Sequence, residues 1–264
     1  MPVALRSSSD GVSWKLGVSN APFVRYVDVR DSDASCGRTV YAVNSTDSGG
    51  NTNWVFTPWL VWQGGASSNF ADSANWAPAQ APSSASMVLV DGNVSNAPLV
   101  SAPTTVRKLV MGPSALSRLT LLAPLAVLDD AVLHPQAVVT HGDNATAHLY
   151  SVNMTIGTGL TVHAGAVITA DGLGYDPKYG PGAGDGDGSG GSGGGYGGMG
   201  GPYYRPAGTT YGSWLTPTNL GSGGDRGAGG GAIRLTVGGT AILDGLITAD
   251  GIAGGTYHGA GSGG

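Results

Sequence analysis

The apolar residues of this chain are grouped in short runs that alternate with turn residues. Between residues 87 and 171 such runs follow one another at intervals of about ten residues, and they include Leu119 to Leu122 and Leu125 to Leu128. No segment keeps a helical period over about three turns, and prolines such as Pro113 and Pro124 interrupt most helical candidates. Short, evenly spaced strands predict an all-β fold, and both a β-solenoid and a β-sandwich fit the pattern.

One phrase of five residues occurs twice. Ile168 to Gly172 reads Ile-Thr-Ala-Asp-Gly, and the same five residues recur 79 positions later, from Ile247 to Gly251. Each copy follows a run of strand-forming residues and leads into a glycine tract. Such self-similarity predicts a repeat architecture in which both copies occupy equivalent positions, so we expect Ile168 and Ile247 to point inward in register. Residues 87–171 and 232–251 should then belong to one continuous solenoid.

A glycine-rich tract separates the two copies. Residues 172–231 contain 25 glycines among 60 residues. Ordering glycine costs more backbone entropy than ordering any other residue, so an ordered tract needs dense hydrogen bonding and packing. The tract lacks the strict triplet of collagen. We expect an ordered excursion in which residues 182–201 are held by backbone hydrogen bonds, many of them to a neighbouring subunit or to the next segment of the same polymer. Bulky residues at Gly194 or Gly198 should then abolish assembly.

Aromatic residues interrupt the glycines at irregular intervals, and we expect them to pin the tract to a core or to a neighbouring subunit. These residues are Tyr175, Tyr179, Tyr196, Tyr203, Tyr204, Tyr211 and Trp214, and the last five are the expected packing and assembly residues.

Charged residues are scarce. They make up 11% of the chain, against about 25% in an ordinary soluble domain, which suggests that part of the surface is covered by another chain. A net charge of −5 offers no basic footprint for nucleic acid or anionic lipid. No run of about 18 apolar residues exists, so we expect no membrane insertion. The partner that this composition favours is the protein itself.

Three segments carry a resemblance to a known class of proteins. Residues 27–34 and 45–56 resemble the closing rungs of right-handed parallel β-helices in large secreted surface proteins. Residues 229–240 resemble the glycine-rich repeats that interrupt such β-helices. The resemblance implies an all-β parallel β-solenoid with a long ordered glycine-rich excursion, and an extracellular or cell-surface location.

A tryptophan-rich segment joins the first β segment to the solenoid. The stretch from Trp62 to Trp76 is similar to the phrase that precedes β-solenoid repeats in autotransporter-like passenger proteins. Two interpretations are open. The indoles of Trp59, Trp62 and Trp76 could cap an open solenoid end, or they could form a platform on which sugars stack, and large aromatic side chains favour burial in a cap.

These features divide the chain into five parts. They are an N-terminal β segment (1–57), a Trp-rich cap or linker (58–86), the solenoid (87–171), the glycine-rich excursion (172–231), and returning rungs that lead into a second glycine tract (232–264).

No motif points to catalysis. Asp129 and Asp130 resemble the paired carboxylates of pectin-cleaving β-helix enzymes, but the companion motifs are missing, so we interpret the pair as a solvated turn. Residues 190–194 match the G-x-S-x-G pattern without the strand and helix that it needs. His134, His141 and His148 are interpreted as surface or stacked residues. We therefore predict neither an enzyme nor a cofactor.

Two kinds of modification or ion site remain as candidates. Asp185 and Asp187 form a weak calcium candidate, and the alternative is that their charges solubilise a glycine loop. Four sequons would be glycosylated only on exposed loops of a secreted eukaryotic protein. The sequons begin at Asn44, Asn93, Asn144 and Asn153.

The function that these observations favour is structural. We expect a subunit or segment of an extracellular filament or cell-surface coat that assembles through β edges and glycine-rich segments. The alternative is a carbohydrate-binding adhesin module with cell-surface polysaccharide as its partner, and a polysaccharide-cleaving enzyme comes third. A filament predicts large self-contacts, an adhesin predicts an exposed aromatic groove, and an enzyme predicts acidic residues clustered in a cleft.

Overall fold

A computed structural model describes residues 2–19, 23–56, 59–92, 94–113, 115–187 and 189–264. Within these ranges the chain consists of strands, turns and one 3₁₀ helix (Ser73–Asn75). Most of the strands pair in parallel, so the predicted all-β class is confirmed. No helix in this part of the chain has the length and apolar character needed to cross a membrane.

The first eight strands form a small stack of three parallel sheets, which we call the N-terminal stack. The chain runs through the three sheets in turn and then returns to the first, so each strand pairs with the strand one circuit later. The strands are β1 (Val3–Leu5), β2 (Trp14–Lys15), β3 (Phe23–Arg25), β4 (Val27–Val29), β5 (Ser32–Asp33), β6 (Val40–Val43), β7 (Thr46–Asp47) and β8 (Trp54–Val55). The sheets have the orders β1-β4-β7, β2-β5 and β3-β6-β8.

A larger stack of three sheets follows, which we call the main stack. Its first sheet contains, in spatial order, β10 (Trp76–Ala77), β9 (Trp59–Trp62), β11 (Met87–Val90), β14 (Lys108–Met111), β17 (Ala131–Leu133), β20 (Gly159–Val162) and β25 (Thr240–Leu243). The second contains β12 (Leu99–Val100), β15 (Ser117–Leu121), β18 (Ala137–His141), β21 (Val167–Thr169) and β26 (Leu246–Thr248). The third contains β13 (Thr104–Val106), β16 (Leu125–Val127), β19 (Val152–Ile156) and β24 (Ile233–Val237).

Alternation of side chains along each strand produces the core of the main stack. In β15, Ser117, Leu119 and Leu121 are buried while Arg118 is exposed, because successive residues of a strand point to opposite faces. The parallel register then places apolar side chains beside apolar side chains of the next circuit. One column of apolar side chains consists of Val106, Val127, Ile156 and Val237.

The repeated five-residue phrase lies in register, as expected. Ile168 in β21 pairs with Ile247 in β26, and Thr169 pairs with Thr248. Strands from residues 87–171 and from residues 232–248 share all three sheets. The two copies therefore occupy equivalent positions on neighbouring circuits, which the sequence repeat predicted.

Aromatic side chains close one end of the main stack. Trp62 and Trp76 lie on the paired strands β9 and β10, and their rings meet edge to face at 5.0 Å. Phe70 stacks on Trp62 at 6.3 Å and meets Trp76 at 4.9 Å. The indole nitrogens also have partners, since Trp62 donates to the carbonyl of Asn96 and Trp76 to that of Phe70. This cluster covers the apolar core at the β10 end.

The N-terminal stack packs on the outer face of the first sheet. Val43 and Trp59 join Val61, Leu89 and Val110 in one buried cluster. This contact explains why strands β9 and β14 are buried on both faces instead of showing alternation.

Polar contacts fix the same junction. Arg25 forms an ion pair with Asp91 at 2.6 Å. The Lys108 ammonium group donates to the Tyr41 hydroxyl at 2.9 Å and pairs with Asp130 at 3.1 Å.

The glycine-rich residues 172–231 and 249–264 form a bundle of side-by-side segments, which we call the glycine bundle. Only two short strands occur in its described part, β22 (Gly186–Asp187) and β23 (Gly190–Gly191). Hydrogen bonds join backbone groups far apart in sequence, such as the Gly230 amide and the Ser262 carbonyl at 2.8 Å. The bundle is continuous with the main stack, because the Gly231 amide donates to the carbonyl of Ala170 at 2.7 Å.

Candidate functional site: the open edge and the glycine bundle

Three strands end the main stack at the side opposite the aromatic cluster. Strands β24, β25 and β26 are the last members of their sheets, and each pairs with a described strand on one side only. Backbone N–H and C=O groups on the other side of such strands can pair with another chain. We call β24, β25 and β26 the open edge.

The open edge exposes side chains of the kind that the rest of the stack buries. Val162 and Ile168 are 0% exposed, whereas their register partners Leu243 and Ile247 are 51% and 37% exposed. The register gives Leu243 and Ile247 the same inward direction as their partners, and they are exposed because no described strand covers them. Burying such a side chain fully stabilises by about 1.5–3 kcal/mol.

A carboxylate joins neighbouring circuits at the repeated phrase. One oxygen of Asp171 accepts hydrogen bonds from the Thr248 hydroxyl at 2.8 Å and from the Asp250 amide at 2.7 Å. Asp250 occupies the equivalent position one circuit later and is exposed. Next to the open edge, the Asp250 carboxylate is therefore exposed to solvent, whereas the equivalent carboxylate of Asp171 accepts hydrogen bonds from the last circuit.

Glycine is required inside the bundle by close backbone approach. A Cβ atom on Gly194 would lie 2.4 Å from the carbonyl oxygen of Ser222, too close for any side chain. A Cβ atom on Gly198 would meet nothing within 4 Å. The two positions that were expected to act alike therefore differ, because Gly194 packs within the chain and Gly198 faces open space.

The hydrogen bonds that order residues 182–201 are made within the chain. The Gly195 amide donates to Gly182 at 2.8 Å, and the Gly194 amide donates to Ala260 at 2.9 Å. Other segments of the same bundle supply these partners. Additional bonds to a neighbouring subunit or to the next segment of the same polymer stay a prediction.

The predicted aromatic anchors divide into two groups. Tyr196 and Tyr211 meet edge to face at 5.2 Å, and the Tyr211 hydroxyl donates to the carbonyl of Leu220. These two tyrosines pin the loop that the tract makes between them. Tyr204 and Trp214 are 83% and 75% exposed, so they anchor little within the chain. Tyr203 contacts Tyr204, with ring centroids 4.4 Å apart.

A buried ion cluster ties three glycine segments together. The Asp225 side chain is 1% exposed, and its two oxygens pair with Lys178 at 3.2 Å and with His258 Nδ1 at 2.5 Å. Burial would raise the pKa of Asp225, but the hydrogen bonds from His258 and Lys178 outweigh it and hold that pKa below its usual value. Asp225 is therefore anionic at neutral pH.

No protein-family model, curated protein or solved structure matches this chain. The resemblance to β-helical surface proteins accordingly rests on the quoted residues alone.

The tryptophans do not form an exposed platform. Trp59, Trp62 and Trp76 are 0%, 2% and 3% exposed, which removes them as a sugar-binding surface. Trp62 and Trp76 lie in the aromatic cluster at the end of the stack. Trp59 lies elsewhere, at the junction of the two stacks, where it meets Tyr41 edge to face. The expectation that all three share one cap is thus wrong for Trp59.

The four sequons lie in different surroundings. Asn44 is exposed, whereas Asn153 is half-buried within β19. Asn144 is 1% exposed, and its amide group makes four hydrogen bonds, to Tyr150, Leu173 and Leu149. Asn144 is therefore unsuitable as a glycan acceptor in the folded chain, because it is a buried organiser of a turn. Asn93 lies outside the described residues.

The acidic candidates all have cationic or backbone partners. Asp129 pairs with Arg107 at 3.0 Å, as Asp130 pairs with Lys108, so each carboxylate neutralises a cation from the preceding circuit. Asp187 pairs with Arg205, and Asp185 accepts from the Gly186 amide. The described residues contain no group of three or more His, Cys, Asp or Glu side chains placed to hold a metal ion.

The histidines are more buried than expected. His134 and His141 are 6% and 2% exposed, so the surface interpretation is wrong for these two, whereas His148 is exposed as expected. The stacked alternative is confirmed for His134, whose ring stacks on that of His163 with centroids 5.1 Å apart. Burial, with the charge of His163 as the next cause, lowers the pKa of His134 to about 4. His134 is therefore neutral at pH 7.

Sequence reasoning missed the ion cluster and the open edge. A sequence signal for the cluster existed, because Asp225 and His258 are isolated polar residues inside glycine tracts. The open edge had no such signal, since Leu243 and Ile247 fit the same pattern as buried residues one circuit earlier.

Proposed function

We propose that this chain is a structural subunit or segment of an extracellular filament or cell-surface coat. In this proposal the main stack is a parallel β-solenoid, and the chain assembles through its strand edges. The observation that carries the proposal is the open edge, where inward-directed apolar residues such as Leu243 and Ile247 are exposed.

The proposed partner of the open edge is the first circuit of a second copy. Strands β1, β2 and β3 are also terminal in their sheets, and Val3 in β1 is 63% exposed. Both ends thus combine parallel strand edges with exposed apolar side chains. A contact between two different ends is head-to-tail, and a head-to-tail contact that does not close on itself produces a filament.

The aromatic cluster supports this choice of ends. Trp62, Phe70 and Trp76 cover the other end of the main stack, so a copy cannot add there by burying an open apolar core. The glycine bundle stiffens each subunit without a neighbour, since its own backbone supplies the hydrogen bonds. Assembly in this proposal therefore depends on strand edges, and lateral contacts between glycine segments are not required.

The extracellular setting is part of the same proposal. It is supported by the low content of charged residues and by the resemblance of residues 27–34 and 45–56 to secreted β-helical proteins. A surface largely covered by neighbouring copies needs fewer charges than a freely dissolved one.

The experiment compares association of the wild-type chain with that of the double variant Leu243→Lys/Ile247→Lys. Light scattering after size exclusion, over a concentration series, and electron microscopy report the assembly state. We expect concentration-dependent fibres or chains from the wild type and monomers from the double variant, because lysines on an edge block pairing with another chain. Circular dichroism checks that the strands persist.

Leu149→Lys is the matched control, since Leu149 is 63% exposed but lies outside the open edge. This variant should assemble as the wild type does. A wild-type chain that stays monomeric up to about 1 mM would overturn the proposal, because pairing along the three strands of the open edge should drive association well below that concentration. Loss of assembly in the control would also overturn it.

A further inference from the structure

Two clefts of comparable volume, about 430 and 560 Å³, lie on the described part of the chain, and the one in the glycine bundle differs from the other in its lining. Its volume is about 560 Å³. The segment 191–194 forms its floor, and segments 199–203 and 257–261 form its two sides. Backbone hydrogen bonds hold floor to sides, from Gly193 to Gly201 and from Gly194 to Ala260, both at 2.9 Å.

Tyrosine rings stand at this cleft instead of being buried. Tyr203 and Tyr257 both line it, and their rings stack with centroids 5.8 Å apart and planes 19° apart. Tyr257 is 65% exposed, so its ring presents an open face. Exposing a large aromatic side chain forfeits the burial that normally stabilises it, and rings placed this way are typical of ligand contacts.

A histidine with a fixed orientation supplies the polar group. His258 lines the cleft, and its Nδ1 lies 2.5 Å from the buried Asp225 carboxylate. Because Asp225 is anionic and can only accept, the Nδ1–H group of His258 donates to it. This contact fixes the orientation of the imidazole ring and leaves Nε2 for a hydroxyl group of a ligand, which can either donate a hydrogen bond to it or accept one from it.

We infer that this cleft binds a neutral saccharide. The C–H face of a sugar ring would stack on the open face of Tyr257, and a sugar hydroxyl would form a hydrogen bond with His258 Nε2. Gly191, Gly193 and Gly194, which line the floor, have no side chains and so offer backbone groups at close range. This inference goes beyond the assembly proposed above, because the cleft is separate from the open edge.

The lining favours a neutral sugar over other ligands. The cleft contains no Asp, Glu, Lys or Arg side chain, so neither a metal cation nor a phosphate would find a charged partner there. A nucleic acid would stack on tyrosine in the same way, but it requires basic residues along its backbone, and the chain carries a net charge of −5.

The test measures binding of neutral oligosaccharides by isothermal titration, using hexasaccharides of β-1,4-glucose, β-1,3-glucose, α-1,4-glucose and β-1,4-mannose. We expect at least one of them to bind the wild-type chain. Tyr257→Ala should weaken that binding by about tenfold or more, because the open ring face is lost. Tyr257→Phe keeps the ring and should bind within about twofold of the wild type.

Tyr179→Ala is the matched control, since Tyr179 is 51% exposed in the same bundle but does not line the cleft. Its affinity should equal that of the wild type. Hydrogen exchange of glycine amides confirms that each variant stays folded. The inference is overturned if no hexasaccharide binds at about 10 mM, if Tyr257→Ala binds as the wild type does, or if Tyr179→Ala loses binding equally. Saccharide binding by Leu243→Lys/Ile247→Lys would show that the cleft acts independently of assembly.

Discussion

A single methyl group on Gly229 should destabilise the glycine bundle. An ideal Cβ atom at this position would lie 1.9 Å from the carbonyl oxygen of Gly221, whereas real Cβ atoms essentially never come within 3.0 Å of another heavy atom. The backbone of Gly229 is not in the left-handed region, so alanine can adopt its conformation. The effect of Gly229→Ala is therefore steric, and it tests close backbone packing directly.

The size of the effect follows from the neighbouring hydrogen bonds. Relieving the contact requires the two segments to separate by about 1 Å, which takes the 2.8 Å bond from the Gly221 amide to Gly230 out of hydrogen-bonding range. Bonds from Gly229 to Tyr175 and from Gly174 to Gly229, both 2.8 Å, would be strained. One to three bonds at about 1 kcal/mol each, together with overpacking of about 1–3 kcal/mol, exceed the gain of about 0.4–1 kcal/mol in unfolded-state entropy. We expect a net loss of about 2–4 kcal/mol.

Native-state hydrogen exchange is the appropriate assay, because it resolves opening of the bundle from opening of the sheets. Protection of the Gly174 and Gly221 amides should fall by about 30- to 700-fold, since about 1.4 kcal/mol corresponds to a factor of ten. Protection of Leu119 in β15 should change little. Gly198→Ala is the control, because a methyl group there meets nothing. Unchanged protection in Gly229→Ala would refute the view that backbone contact orders the bundle.

Two further predictions concern charge and burial. The depressed pKa of Asp225 means that its ion pairs stabilise the bundle above the unfolded value of about 4, and that this contribution is lost as the pH falls through the lower folded value. Protection factors of bundle amides, which compare each exchange rate with the intrinsic rate at the same pH, should therefore fall on acidification from pH 5 to about pH 2 in the wild type, and Asp225→Asn should remove most of this dependence; a variant with the full wild-type pH profile would contradict it. Trp76→Ala should lower the free energy of unfolding by about 3–5 kcal/mol in urea titrations, because the ring is 3% exposed. Trp214→Ala should change it by no more than about 0.5 kcal/mol, since that ring is 75% exposed, and equal losses in the two variants would show that the aromatic cluster does not hold the end of the stack.

The strands and their register could be predicted because side chains carry the information. Alternation along β15 distinguishes its inward face from its outward face, and the repeated phrase predicts the pairing of Ile168 with Ile247. A shift of one residue would turn every inward side chain outward, so the pattern permits few registers. The class of fold and the equivalence of the two copies therefore followed from the sequence.

The contacts of the glycine bundle could not be predicted on the same basis. The sequence does not distinguish a glycine that packs against a backbone from a glycine that faces solvent. Gly194 and Gly198 differ only in the neighbours that the fold brings to them from distant parts of the sequence. Trp59 shows a second limit. Trp59 was assigned to the cap because it lies close to Trp62 along the chain. On a strand, however, two residues that are three positions apart point to opposite faces.

Different interactions stabilise the main stack and the glycine bundle, and different substitutions disrupt them. The main stack is held by buried side chains, so it should tolerate isosteric apolar changes at Leu119 or Met154 and resist truncation. The glycine bundle is held by backbone hydrogen bonds at distances that exclude a Cβ atom, so even the smallest side chain, a single methyl group, should destabilise it. The hydrogen bond from the Gly231 amide to Ala170 and the pairing of β21 with β26 connect the two systems. The bundle consequently needs the stack to fix where its segments enter, whereas the stack needs the bundle only to return the chain to β24.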